Sequence, residues 1–430
     1  MVTPVSAHHA HASGRIYYGW YIVAVGFIAN VASSFALAST LSIFLKPMTL
    51  DLGVSRGVFS LLRSGEGVIG AFMAPFVGPL VDRHGSRWLV AGGAVVAAVG
   101  YFILSQVEVF WQFVLVRWTF VTVGDGLLGY MVINVMIARW FVRKRGRAIA
   151  VSSMGIGFAK IVMPVLVVPL LAWLGWRHTW AVFGVLTLVL IVAPALFYIR
   201  RSPEDMELNP DGLDPVAVTE GKTPRPQPYA ASEARIWSRK AGLRTRAFWL
   251  IVAVFGVSAV GVTGVNLHVF AYVTDLGYSD LRAVGALSVI ASTQLGSPIV
   301  WGLIADRVDV RWSTLAKFVI QAAGLTVAIT SGSLTLVYVG FFFYGVGLGG
   351  NMVLQDVVWA RIFGRLSMGR IRGLGILMTH SFAALGPPFF GFLFDWTGSY
   401  TVPFTIFAVT LVISGFLSLF IVAPPRASSA

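Results

Sequence analysis

Twelve apolar stretches, most of them about twenty residues or longer, take up nearly all of this 430-residue chain. They run roughly over 18–45, 57–81, 88–107, 110–138, 147–174, 177–199, 247–274, 282–305, 312–330, 334–362, 371–394 and 401–424. A helix that spans the hydrocarbon core of a bilayer needs about 20 such residues. In lipid a helix satisfies all of its own backbone hydrogen bonds, so each run reads as a helix. The expected fold is therefore an all-α integral membrane protein with twelve transmembrane helices. Only 12% of residues are charged, against about 25% in soluble domains. There are no cysteines, which rules out disulfides and thiolate metal sites.

The net charge of +14 invites a nucleic-acid reading, but its placement argues for topology. Arg83, Arg87, Arg139, Arg143, Lys144, Arg145, Arg147, Arg200, Arg201, Arg307, Arg311, Arg361, Arg365, Arg370 and Arg372 fall in alternate loops. The other loops hold little beyond Arg56, Arg177 and Arg282, with Lys46 at a helix end. Cytoplasmic loops carry the lysine and arginine excess. Both termini are then expected in the cytoplasm, in a bacterial inner membrane, with no nucleic-acid partner. The chain divides into a tail (1–17), a six-helix half (18–199), a cytoplasmic linker (200–246), a second six-helix half (247–424) and a short tail (425–430). The linker is rich in proline and charge, and Ala231–Arg246 could lie as a basic amphipathic helix on an anionic leaflet.

One stretch occurs twice. Gly78-Pro-Leu-Val-Asp82-Arg83-His84-Gly85-Ser86-Arg87 returns about half a chain later as Gly302-Leu-Ile-Ala-Asp306-Arg307-Val-Asp309-Val-Arg311. In both copies an apolar run ends at the acid, a basic hinge follows, and another apolar run begins. Two related half-proteins are implied.

This repeat resembles the major facilitator superfamily signature Gly-x-x-x-Asp-Arg-x-Gly-x-Arg between the second and third helices. The resemblance covers nearly the whole chain and implies two pseudo-symmetric six-helix halves, with Gly78, Asp82, Arg83, Arg87, Gly302, Asp306, Arg307 and Arg311 serving conformational switching. Tyr17-Tyr18-Gly19-Trp20, Leu41-Ser42-Ile43-Phe44-Leu45-Lys46, Arg139-Trp140-Phe141-Val-Arg143-Lys144-Arg145-Gly146-Arg147 and Asp395-Trp396 look like the monocarboxylate porter family and its bacterial relatives, the oxalate and formate exchangers. That likeness gives Lys46 a role with carboxylate and proton. Arg117 resembles the superfamily's buried fourth-helix arginine, which is tied to proton coupling. The chain departs from the porters in the eighth helix: where they carry an Asp and an Arg, it reads Ser292-Thr293-Gln294-Leu295-Gly296-Ser297-Pro298.

Ionisable groups at membrane depth mark functional sites unless a partner accounts for them. Lys160 lies thirteen residues past Arg147, about 20 Å along a helix, where it needs a carboxylate: Asp125 or a substrate. Arg63 and Glu66 are one turn apart and can pair. His268 and His380 fall in the seventh and eleventh helices, and histidine titrates near neutral pH. With Gln294, Asn351 and Asp356, these complete the candidate set of Lys46, Arg117, Asp125, Lys160, His268, Gln294, Asn351, Asp356 and His380.

The expected function is alternating-access transport of a small organic anion, a mono- or dicarboxylate, coupled to protons or run as exchange. The rival readings are a carrier of a neutral or cationic solute, built on Asp125, Glu66 and Asp356, and a receptor that keeps the fold without flux. No enzyme activity, cofactor or metal centre is expected, since no nucleophile–base pair or ligand cluster has suitable spacing. The expected partners are the anion, protons and membrane lipid, with the monomer as the working unit.

Overall fold

A computed structural model describes residues 17–36, 38–141, 144–200, 202–209, 211, 239–363 and 368–422. Among the described residues every regular element is helical. Nine helical runs among the described residues are long and apolar enough to cross a membrane. One of them, Arg147–Tyr198, holds two passes that meet at Gly175, whose φ of +70° only glycine adopts without strain. The bent first span and the more polar second span bring the passes to twelve.

The first span is broken. Gly19–Ser33 gives way to a 3-10 turn at Ser34–Ala36 and resumes as Ala38–Asp51. Side chains take up the backbone groups that the break frees: Ser34 Oγ donates to Asn30 O at 2.9 Å and Thr40 Oγ1 to Ser34 O at 3.0 Å. The second span, Arg56–His84, is capped by Ser55, whose Oγ accepts from Val58 N at 3.2 Å. Gly85, at φ +78°, then turns the chain directly into the third span, Ser86–Leu104. The fourth span runs from Phe110 to Trp140 and carries a π-helical segment at Arg117–Val121. The fifth and sixth follow within Arg145–Tyr198.

In the second half the spans are Arg246–Asp275, Asp280–Arg307, Val310–Thr330, Leu334–Phe363, the pair Met368–Ala383 and Gly386–Thr397, and Thr401–Ser418. The eleventh span breaks at Leu385-Gly386-Pro387-Pro388, where prolines remove two backbone donors. Of the expected amphipathic helix in the linker, Arg239–Leu243 is helical, and residues 231–238 lie outside the described set.

Each half is compacted by small residues at matching places. A Cβ on Gly124 would lie 2.7 Å from Gly93 O, between the third and fourth spans. A Cβ on Gly340 would lie 2.6 Å from Gly324 O, between the ninth and tenth. Close approach of this kind is how helices associate in lipid. The halves meet along three lines: second span on eleventh, first on seventh, and fifth on eighth. With an even number of passes, residues 17 and 422 reach the same face, called the terminal face below.

Candidate functional site

One cavity lies between the halves and another within the first half. The first, about 180 Å³, is walled by both: Ser39, Arg63 and Lys160 on one side, Thr263, Asn266, Leu287, Ile290, Ala291 and Gln294 on the other. The second, about 310 Å³, sits in the first half and is lined by Asn30, Ser33, Ser34, Arg63, Glu66, Thr122 and Asp125, among others. Arg63 lines both cavities, so the two adjoin at its side chain.

Lys160 reaches the first cavity from the fifth span. The sequence offered it Asp125 or a substrate carboxylate, and the structure gives it neither. Its Nζ donates to Gln294 Oε1 in the eighth span at 3.1 Å, and no acid among the described residues stands within ion-pair distance of it. Asp125 lines the second cavity instead, and its carboxylate makes no hydrogen bond or ion pair among the described residues.

The charges of the second and fourth spans form one cluster. Glu66 accepts from Arg63 NH1 at 2.6 Å through Oε2, and from Arg117 Nε at 2.7 Å through Oε1. Arg117 is fully buried, with its guanidinium 5.4 Å from the Trp180 ring centre. It opens the π-helical segment, a local widening of the helix often found at functional positions. The two spans press together here, since Trp118 Nε1 donates to Leu62 O at 3.0 Å. The expected Arg63–Glu66 pair is therefore present, but Glu66 is shared between two arginines.

Other candidates close the molecule at the face opposite the termini. Lys46 Nζ binds Asp275 at 2.9 Å and Thr274 Oγ1 at 3.0 Å. Arg56 also binds Asp275, and its NH1 donates to Tyr400 OH at 2.9 Å. Asp395 accepts from the backbone N–H groups of Arg56 at 3.1 Å and Gly57 at 2.8 Å, so a carboxylate caps the start of the second span. His268 is fully buried beneath this layer, with Ser60 Oγ at 3.1 Å, Tyr400 OH at 2.9 Å and Pro387 O at 3.1 Å. Lys46 and His268 thus tie the halves together, and neither lines a cavity described above.

Asn351 faces the ninth span and accepts from Lys317 Nζ. Lys317 escaped the sequence reading. It is fully buried, with its ammonium 3.6 Å from the Phe318 ring centre. The signal was available: it is the lone ionisable residue in the apolar run 312–330. Asp356 lies on the tenth span, five residues beyond Asn351. Of Gly78, Asp82 and His380 only the helical backbone is described.

The repeated hinge takes two forms. In the first copy Arg83 is exposed, and Arg87 lies 5.5 Å from the Trp88 ring centre. In the second, Asp306 and Arg307 are exposed, and Asp309 caps the ninth span by accepting from Arg311 N at 2.9 Å. Arg311's side-chain hydrogen bond holds the Asp309 carboxyl below its usual range. Where the first copy needs glycine at positive φ, the second turns with Asp309 at φ −56°.

Comparison with known proteins bears on this architecture. The family described as Major Facilitator Superfamily matches residues 25–298. An MFS-type transporter of Aspergillus fumigatus is 26% identical over 305 residues, 70% of this chain and 68% of that protein. Monocarboxylate transporter 4 of Gallus gallus is 24% identical over 404 residues, 92% of this chain and 81% of its own. Monocarboxylate transporter 11 of Homo sapiens is 23% identical over 429 residues, covering 95% and 83%. In three dimensions the chain is similar to the crystal structure of a bacterial homolog of the human lysosomal transporter Spinster, captured inward-facing and occupied. That likeness has a TM-score of 0.73 at 15% identity and covers 95% of this chain and 97% of the other. The family match takes in well over half the chain, from the first span through the lysine–glutamine contact and into the eighth, and the chain belongs to the Major Facilitator Superfamily.

Proposed function

We propose that this protein is a secondary transporter of a small organic anion, a carboxylate, working by alternating access with the terminal face in the cytoplasm. The observation that carries the reading is the ammonium of Lys160, set in a cavity between the halves with, among the described residues, only a neutral amide oxygen for a partner. A cation at membrane depth is stabilised best by an opposite charge. The described acids nearby do not supply it. Glu66 is committed to two arginines, and Asp125 lines the adjoining cavity. Arg63 borders the same chamber and adds to its positive character. Of the rest of the wall, Leu287, Ile290 and Ala291 are apolar and suit a short carbon skeleton, while Ser39, Thr263 and Asn266 are polar. The relatives named monocarboxylate transporters support the same class, and the arginine and lysine asymmetry of the loops supports the orientation.

The test is uptake into proteoliposomes of labelled acetate, lactate and malonate, with and without a pH gradient. At least one should enter at a rate that Lys160→Ala lowers a hundredfold or more, since a charge-assisted contact with the substrate is lost. If none enters while a neutral or cationic solute does, the site belongs to Asp125 and the anion reading is wrong.

A further inference from the structure

Lys160 and Gln294 belong to different halves of the molecule, and their hydrogen bond crosses the line where the fifth span meets the eighth. Both side chains face the first cavity. Gln294 offers Lys160 a carbonyl oxygen at 3.1 Å, the geometry a carboxylate oxygen would adopt. Its amide nitrogen has no hydrogen bond among the described residues. One turn away Gly157 allows Leu295 to close against the fifth span: a Cβ there would meet the Leu295 side chain.

We infer that Gln294 is a built-in stand-in for the substrate's carboxylate, which lets the empty carrier close and return, so that the protein carries out net transport rather than obligatory exchange. The inference rests on the organic-anion reading above. An alternating carrier must occlude its central site at each half-cycle. Occluding a bare ammonium is costly, because a charge stripped of water needs a partner. Loaded, the carrier has the substrate's carboxylate against Lys160. Empty, it has the Gln294 carbonyl. A neutral acceptor suits this role. It offsets part of the desolvation, yet forms a bond roughly half as strong as a charge-assisted one, so an arriving carboxylate displaces it. A glutamate here would hold Lys160 permanently, and a leucine would leave it stranded. A ligand shifts a conformational equilibrium only through its different affinity for the two states. Exchanging a neutral for a charged partner on a contact between the halves supplies such a difference.

The experiment uses the full chain in proteoliposomes loaded with whichever of labelled acetate, lactate or malonate the wild type carries. Efflux is followed into buffer without anion, which reports the empty return, and into buffer with unlabelled anion, which reports exchange. Wild type should show both, within about tenfold of each other. Gln294→Leu should lose net efflux by roughly tenfold or more beyond whatever it takes from exchange, the factor that about 1.4 kcal/mol produces. Gln294→Glu should lose both modes and bind the anion more weakly. Gln294→Met, similar in shape but without the acceptor, should repeat the leucine result and guards against a misfolded variant. Wild-type transport confined to exchange overturns the inference. So does a Gln294→Leu protein in which both modes fall together, since glutamine would then hold the substrate itself, or one in which neither changes. If none of the three anions is carried, the organic-anion reading falls first and this inference with it.

Discussion

The contacts that join the halves are built from opposite materials at two places. Toward the face opposite the termini, Lys46 and Arg56 of the first half converge on Asp275 of the second, Asp395 caps the start of the second span, and Ser60 meets His268 and Tyr400 below. Between the fifth and eighth spans the polar contact among the described residues is one hydrogen bond from Lys160 to a neutral amide, flanked by a glycine. The first contact is ionic and held at several points, so losing one member leaves charges facing each other. The second is a single exchangeable bond that borders a cavity. The difference separates two roles. In the proposed transport cycle the ionic layer sets how hard it is to open one face, and the amide contact senses whether the site is filled. A ligand the size of the first cavity can compete for one hydrogen bond, and no member of the ionic layer lines that cavity.

The sharpest way to break this contrast is Asp275→Ala. Lys46 and Arg56 would then stand together without their shared acid, and the layer would turn from attractive to repulsive. Lys46 and Asp275 keep 30% and 27% of their side chains exposed, so water screens part of the effect; about 1–2 kcal/mol remains, roughly a tenfold gain in opening. The chain has no cysteine, which leaves Ser39→Cys in the cavity wall as a clean reporter. In intact cells, where the opposite face is the outer one in the proposed orientation, Asp275→Ala should raise labelling of that cysteine by an impermeant maleimide about tenfold. Unchanged labelling would mean that the ionic layer is not what closes this face.

A smaller effect is expected from Asp395→Ala. Its carboxylate accepts from two backbone N–H groups at the first turn of the second span, at 3.1 and 2.8 Å. Removing such a cap costs about 1 kcal/mol, and water can reach the freed donors once the face opens. Labelling at the same cysteine should rise about fivefold. A gain equal to that of Asp275→Ala would show that helix capping across the halves, rather than the Asp275 pairs, dominates the closure.

The parts of this molecule that the sequence discloses are those set by local rules. Apolar length marked the passes, the Gly85 hinge announced its turn, and Arg63 with Glu66 one turn on announced their pair. What stayed hidden depends on which helix faces which. Lys160 and Asp125 both lie near mid-membrane, and their charges suggested each other, but the fifth span presents Lys160 to the eighth while Asp125 faces a cavity within its own half. Glu66 could not be seen as shared until the fourth span brought Arg117 against it. His268 read as a candidate site group because of its depth in its helix, yet Ser60 of the second span, Pro387 of the eleventh and Tyr400 at the start of the twelfth fill its surroundings. Helix rotation and partner choice in lipid are fixed by small-residue packing and polar contacts spread over the whole bundle, and no single stretch records them.

The smallest effect, and the one that most sharpens the comparison, belongs to Gly157→Ala. The added Cβ would press on Leu295 Cδ2, the far end of a flexible side chain. A leucine χ angle pushed about 30° off its well costs about 0.5–1.5 kcal/mol, so the fifth and eighth spans can absorb the methyl with little separation. Exchange and net efflux should then both slow, in step, by less than about threefold. This differs in kind from Gln294→Leu, which should separate the two modes. A steric fault at this line burdens every passage, loaded or empty, whereas loss of the amide burdens only the empty one. If Gly157→Ala splits exchange from net efflux as the glutamine variant does, close packing of the fifth and eighth spans, rather than the partner of Lys160, governs the return of the empty carrier.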